Sequence, residues 1–325
     1  MSIQVLSSGP LLSVQDLGWR GHAHLGLGGN GVLDRAATQL ANALVGNSAK
    51  AAVLEITWGG AGLRFTQEHV IALSGADLRA ELDGRSLANW SAHRVSAGSV
   101  LRFATPRMGA RSYLSVAGGL DVPLLLGSHA TELRSGFGGG FSRALQRGDE
   151  LAVLAGPVQQ PVTGYWLAAH WLYPLRPLRI LSGAQFNDLD CASRAALRSG
   201  EFQIGPHSDR MGLRLDCSLN LERRRELISA PLVAGTVQLP ADGTPIVLTR
   251  AHQTTGGYPA IAHVISADLD RLAQLKPGSR VRFELTDLAH AQALATRRST
   301  ALEQLCACIA QRQTKRQQVR HSAVD

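Results

Sequence analysis

The chain is poor in aromatic residues, lysine and cysteine, and each shortage closes off a class of function. Aromatics are 5% of its 325 residues, and only Lys50, Lys276 and Lys315 are lysines, against 30 arginines. A nucleic-acid binder carries a basic stripe interleaved with aromatics, so no nucleic-acid partner is expected. No apolar run approaches the ~18 residues of a bilayer span, and the first residues do not form a charged segment followed by an apolar core, as a secretory signal does. No membrane association is expected, and a cytoplasmic location is. The four cysteines (Cys191, Cys217, Cys306, Cys308) form no Cys-x-x-Cys pair and no ligand spacing with histidine, so the expectation is reduced thiols and no metal site.

Motif absences narrow the field further. A P-loop needs Gly-Lys followed by Ser or Thr, because the lysine must reach the β- and γ-phosphates, and none of the three lysines follows a glycine. A biotin carrier needs a lysine between methionines, and no lysine here has one beside it, so no biotin is attached to this chain. The nucleophile elbow G-x-S-x-G and the zinc motif H-E-x-x-H are missing as well, which argues against a serine hydrolase or a zinc protease.

What is abundant is glycine, 34 residues of it, with 45% apolar residues and 18% charged ones. That composition belongs to a turn-rich globular protein, and the length exceeds one ordinary domain of about 150 residues, so two are expected. The formal charge of +8 is not spread evenly: residues 291–325 hold six basic and two acidic side chains, half of the excess. A solvated basic tail is the simplest reading of that segment.

Short apolar runs between Gly, Pro and Asp breakers (Ala52 to Trp58, Ser99 to Phe103, Arg111 to Val116, Glu150 to Leu154, Leu178 to Ser182) read as strands of closed sheets. One early helix stands out from Asp34 to Val45, with apolar residues at helical spacing, Asp34 as its N-cap and Gly46 beyond its end. A short helix from Asp268 to Gln274 precedes the turn Lys276 to Gly278, and the alternating run Arg280 to Leu285 reads as a half-exposed antiparallel strand. A C-terminal helix is expected from about Asp287 toward Arg312, with a break near Ser299. Prolines at 157, 161, 174 and 177 bracket a segment with an apolar middle. The division is therefore 1–160 for a first domain, 161–177 for a packed linker, 178–290 for a second domain and 291–325 for a basic helical tail.

Four glycine clusters set beside polar residues exceed what turns require. They are Gln15 to Gly21 leading through His24 and Gly31 to Asp34; Gly109 to Leu114 with Ala117 to Pro123 and Leu126 to Ser128; Ser208 to Leu215; and Gly235 to Pro240 with Asp242 to Ile246 and Gln253 to Pro259. Together with Leu40 to Asn47 and Leu54 to Thr57, in this order over residues 5 to 285, they resemble the biotin-dependent carboxyltransferase family typified by allophanate hydrolase subunit 2. The resemblance implies a mainly β protein of two tandem cyclophilin-like β-barrel domains, with few helices and a C-terminal helix. Two departures stand out: Trp19 where the family has an arginine, with Arg20 one place later, and Asn30 where it has a serine.

The same resemblance implies the activity of its 5-oxoprolinase members. Such a protein works in a complex with A- and B-type subunits and opens 5-oxo-L-proline to L-glutamate at the expense of ATP, with Mg. Two alternatives stay open: a carboxyl-transfer component acting on urea or a related amide with carboxybiotin, and a non-catalytic regulator that binds a kinase-inhibitor partner. The catalytic candidates are Asp16, Arg111 and Arg210. A guanidinium offers two parallel donors to a carboxylate or phosphate, although Arg210 can equally pair with Asp209 or Glu226. Gln238, Thr254, Thr255 and Tyr258, on glycine-flanked strand ends, are the substrate-binding candidates, with hairpin turn chemistry as the competing reading. Asp16 and Glu55 are possible general bases; Asp16 can instead cap a turn, and Glu55 is assigned to solvent or to an arginine pair. His22, His24, His252 and His263 read as surface histidines.

Overall fold

The computed structural model describes residues 2–154, 172–223 and 226–321, with the last helix described in its side chains as far as residue 313. The chain divides into two compact units: Met1–Gly18, Asp34–Trp171 and Thr300–Asp325 form one, Trp19–Leu33 and Leu172–Ser299 the other. This differs from the linear division in two places. The glycine-rich stretch Trp19–Leu33 belongs with the second unit, and the C-terminal helix is shared. Most of the expected linker 161–177 lies outside the described residues; within it Leu172 is buried.

In chain order the first unit contains β1 (Ser2–Ser8), β2 (Leu11–Gln15), α1 (Arg35–Leu44), β3 (Val53–Thr57), β4 (Ala61–Phe65), β5 (His69–Asp77), β6 (Glu81–Leu82), β7 (Arg85–Ser86), β8 (Ser91–Val95), β9 (Val100–Arg102), β10 (Met108–Val116), β11 (Thr131–Glu132), β12 (Phe137–Gly138) and β13 (Glu150–Ala152). Two large antiparallel sheets result, in the orders β13-β1-β4-β9-β6-β7 and β2-β3-β10-β5-β8, and β11 pairs with β12 in a small hairpin. Leu12, Val14, Leu54, Ile56, Ile71, Leu73, Leu114 and Val116 give the second sheet an apolar face that joins Ile3, Val5, Leu63, Phe65 and Leu101 of the first in one core. Helix α1 forms as expected: the Asp34 carboxylate accepts the Ala37 N–H at 2.9 Å, and seven of its ten residues are buried. Such a cap is worth about 1 kcal/mol, and burial of the apolar stripe supplies most of the rest.

The second unit continues with β14 (Leu178–Ser182), α2 (Cys191–Ser199), β15 (Glu201–Gln203), β16 (Gly212–Arg214), β17 (Ala230–Pro231), β18 (Thr236–Gln238), β19 (Ile246–Leu248), β20 (Thr255–Gly256), β21 (Ala260–Val264), α3 (Leu269–Leu272) and β22 (Arg280–Leu285). Seven strands form one sheet, β15-β22-β14-β21-β18-β19-β16, in which only β14 and β22 run parallel; β17 and β20 make a separate two-stranded ribbon. The alternation read in β22 is the observed burial: Val281 and Phe283 point into the core while Arg280, Arg282 and Glu284 are exposed. Under α3 lies an ion pair with no counterpart in the sequence pattern. Arg179 holds Asp268 through Nε at 2.9 Å and Nη2 at 2.7 Å, and the two side chains are 6% and 1% exposed.

The last helix, α4, runs from Leu288 to His321 without the break expected near Ser299. Asp287 caps it, accepting the His290 N–H at 2.8 Å. A seam of buried or half-buried residues recurs at helical spacing through Ala291, Leu294, Arg298, Leu305 and Ile309, so this segment is docked along one side rather than solvated all round. Gln313 Nε2 donates to the carbonyls of Ala43 and Leu44, at 3.0 and 2.9 Å, at the C-terminal end of α1. Among the described residues, no helix is long and apolar enough to cross a membrane.

Candidate functional site

The face of the β2-β3-β10-β5-β8 sheet opposite the apolar core is polar and nonetheless buried. Strand pairing sets Ser13, Glu55, Tyr113 and Ser74 side by side across four strands, with Thr57 and Arg111 in the next row. All six are at most 5% exposed. Helix α1 covers part of this face and satisfies it: the Asp34 N–H donates to the Tyr113 hydroxyl at 2.9 Å, Ser74 Oγ donates to the Ala37 carbonyl at 2.8 Å, and Ser115 Oγ donates to Asn42 Oδ1 at 2.5 Å. Burial pushes the Tyr113 hydroxyl well above its ordinary pKa; the Glu55 and Asp34 carboxylates add to that, and Arg111 and the Asp34 N–H oppose it. Tyr113 therefore stays neutral throughout the physiological range. Two acids, one guanidinium and one phenol thus meet in a dry setting, where charges act more strongly than in water. Thr57 Oγ1 on this face has no hydrogen-bond partner among the described residues.

Of the sequence candidates, Arg111 sits on this face. Glu55 does too: it is 1% exposed, so the solvent-facing reading of that residue is corrected. The reason is that β3 is buried along its whole length, so the side chains that point away from the apolar core are as covered as those that point into it. Asp16 is 5% exposed and engaged on both oxygens: Oδ1 accepts the Gly18 N–H at 2.7 Å and Ser128 Oγ at 2.6 Å, and Oδ2 accepts the His129 N–H at 2.7 Å. That arrangement ties the 128–129 loop to the end of β2.

In the second unit, Arg210 is 8% exposed and donates from Nη2 to the Gly31 carbonyl at 2.7 Å. The neighbouring Asp209 spends its carboxylate on the N–H groups of Met211 and Gly212. The segment that Arg210 grips, residues 19–33, is closed by Trp19 N–H to the Gly29 carbonyl at 2.8 Å. Trp19 is 3% exposed and Arg20 is exposed, so the one-residue shift buries the indole and sends the guanidinium outward. Within this unit Gly28 lies so close to residue 252 that a Cβ there would be 2.7 Å from the His252 carbonyl oxygen.

Gln238, Thr254, Thr255 and Tyr258 also lie in this unit. Gln238 is 2% exposed, and its Nε2 has no hydrogen-bond partner among the described residues. It lies against Gly256 of the β17–β20 ribbon, where an added Cβ would be 2.9 Å from that nitrogen and 2.8 Å from Leu232. Thr254 is half-buried and Thr255 exposed on the same ribbon. Tyr258 lines a cavity of about 320 Å³ whose other walls include Leu219, Leu221, Leu227, Leu239 and Pro259, with Glu226 as its charged member. That is the lower end of small-molecule pockets, about 300 to 1,000 Å³.

Sequence reasoning passed over Tyr113 and, having weighed Glu55 as a general base, assigned it to solvent or to an arginine pair. Their shared face was legible only as strict alternation with Ser13 and Thr57, a pattern that ordinarily marks a solvent face. Burial holds the His252 and His263 imidazoles below their ordinary pKa, and a hydrogen bond to the Gln253 carbonyl partly offsets this for His252. His22 is half-buried and His24 exposed.

This fold has known relatives. The family model for the carboxyltransferase domain, subdomain A and B, matches residues 25–285, and the chain belongs to that family. It is 39% identical over 293 residues to the C-type subunit of the 5-oxoprolinase of Escherichia coli (strain K12), a match covering 89% of this chain and 93% of that protein. It is 34% identical over 305 residues to the corresponding 5-oxoprolinase subunit of Haemophilus influenzae, covering 93% of this chain and 97% of that one. The crystal structure of the K. lactis urea amidolyase superposes with a TM-score of 0.84 at 27% identity, over 93% of this chain and 20% of that one.

Proposed function

We propose that this chain is the C-type subunit of an ATP-dependent 5-oxoprolinase, acting in the cytoplasm with A- and B-type subunits to open 5-oxo-L-proline to L-glutamate. The observation that carries this reading is the near full-length match to two proteins of that name, over 93% and 97% of their lengths. The site chemistry supports it. The substrate is a small lactam with one carboxylate, which a buried arginine can clamp through two oxygens, and Arg111 is the guanidinium set beside a neutral phenol and two acids. Considered by itself, the second unit offers its own binding candidates: Gln238, with an amide donor for a carbonyl oxygen, and Thr254, Thr255 and Tyr258. Glu55 joins the candidates for moving the lactam proton, whereas Asp16, satisfied by three donors, is assigned to positioning the loop at Ser128.

The residues present do not fit a triphosphate. No lysine lies in either unit's candidate set, Arg210 is committed to the Gly31 carbonyl, and Arg111 shares its surroundings with two carboxylates. ATP, with Mg, belongs in this reading to the complex rather than to a site built here.

The test is ATP-dependent glutamate release by the purified complex, with Arg111→Ala beside the parent. Release that falls at least about 100-fold in the variant supports the reading; no release from the full parent complex overturns it. The TM-score of 0.84 to the urea amidolyase favours carboxyl transfer as a second reading. Transfer of label from carboxybiotin to urea by this chain, without glutamate release, would establish that alternative instead.

A further inference from the structure

Three charged side chains connect the C-terminal helix to the glycine-rich segment 19–33, all within the second unit. Arg298, on α4, donates from Nη2 to Asp270 Oδ2 at 3.0 Å and from Nη1 to the Leu172 carbonyl at 3.3 Å. The other oxygen of Asp270 accepts from Arg250 Nη2 at 3.3 Å. Arg250 in turn donates from Nε to the carbonyl of Leu33, the last residue of the segment, at 3.2 Å. The Arg298, Asp270 and Arg250 side chains are 15%, 7% and 15% exposed. Beside them the Leu33 side chain packs with Ala251 and Ala273.

The physical sense of this chain of contacts lies in the rigidity of a guanidinium. Its donors leave the plane's edge in fixed directions, so a carboxylate that anchors Arg250 Nη2 also fixes where Nε points. A carboxylate this buried is held in place by its partners rather than by water, and one of those partners, Arg298, comes from α4. The glycine-rich segment is ordered locally by backbone bonds from Trp19 to Gly29, Leu25 to His22 and Gly26 to Ala23, by the Arg210 bond to the Gly31 carbonyl and by the approach of Gly28 to His252; the Arg250 bond to Leu33 is the contact that links it to α4.

We propose that Arg298 and Asp270 are positioning residues, through which the C-terminal helix sets the order of segment 19–33 by way of Arg250 and the Leu33 carbonyl. Arg298 lies beyond the 25–285 stretch that the family model matches, so this gives α4 a role in ordering the segment that lies outside that match. The inference does not depend on which reaction the protein serves.

Hydrogen–deuterium exchange on the full chain tests it, read by peptides covering 19–33 against peptides from β14 and β22 of the same unit. Arg298→Met is expected to raise exchange in 19–33 about tenfold or more while β14 and β22 stay within about twofold of the parent, because Arg210 still anchors the segment locally. Arg298→Lys, which keeps a charge within reach of Asp270, is expected to restore most of the protection. Asp270→Asn combined with Arg298→Met is expected to match Asp270→Asn alone, since both cut the same connection. Should Asp270→Asn fail to fold, Arg250→Met takes its place in the cycle. Unchanged exchange in 19–33, a rise spread evenly over the second unit, no rescue by lysine, or additive effects in the double variant would each overturn the proposal.

Discussion

Arg210 reaches across 179 residues of chain to donate from Nη2 to the carbonyl oxygen of Gly31 at 2.7 Å. The guanidinium that the sequence offers as an anion clamp is thus also the clasp of a glycine-rich segment that the chain, read linearly, would leave with the first domain.

From that contact follows a first expectation. Arg210→Ala leaves the Gly31 carbonyl without its charged donor in a site that is 8% exposed at Arg210, and should lower stability by about 1–3 kcal/mol. Urea denaturation of the full chain measures it, and a change below about 0.5 kcal/mol would show that the clasp does not contribute.

Gln238 should behave in the opposite way. Its Nε2 is buried with no partner among the described residues, an arrangement that costs about 1–3 kcal/mol. Gln238→Leu, of similar size and without the orphan nitrogen, is expected to melt at or above the parent temperature while glutamate release by the complex falls at least about tenfold. A variant that melts lower and keeps full activity would show Gln238 to be a packing residue.

Acid should attack the second unit through Asp268. Burial by itself raises the pKa of this carboxyl, but hydrogen bonds from Arg179 and the charges of Arg271 and Arg179 outweigh it, and the net shift is downward. A depressed carboxylate pKa contributes stability above its unfolded value, about 4, and that contribution is lost as pH falls through the folded value. Stability followed by denaturation from pH 7 downward should therefore drop on the acid side of the ordinary carboxylate range. Asp268→Asn should flatten that part of the profile and cost about 3–5 kcal/mol at neutral pH, because it leaves Arg179 buried without its partner. An unchanged acid limb would count against the assignment.

The end of α1 offers a smaller test. Gln313→Ala removes a donor to the Ala43 and Leu44 carbonyls at the helix C-terminus, where intrahelical partners run short and Ala43 keeps only the bonds of the closing turn, at an expected cost of about 0.5–1.5 kcal/mol. Amide exchange localised to Ala43 through Asn47 would report the loss; no local change would mean that water replaces Gln313 without penalty.

The elements that could be read in advance share one property: each is specified by neighbours in the chain. Asp34 caps α1 because an acceptor three residues before Ala37 is a local arrangement, and β22 alternates because its period is local too. The continuity of α4 was missed because Ser299 is a poor helix former, and only the docked seam on either side of it outweighs that preference. Glu55 was misplaced because alternation tells which residues share a face of a strand and not whether that face meets water.

The sequence by itself determined the family, the mainly β character, the early helix and the residues whose chemistry suits a carboxylate or an amide, all of which follow from motif order and short-range spacing. Only the tertiary structure decided that α1 covers part of the polar face of the first unit's sheet, that Asp16 accepts from three donors, that Trp19–Leu33 belongs with the second unit, and that Arg298 pairs with Asp270. Those facts depend on contacts between residues tens to hundreds of positions apart. Such contacts are chosen by which surfaces can be buried together, a balance that no local window contains.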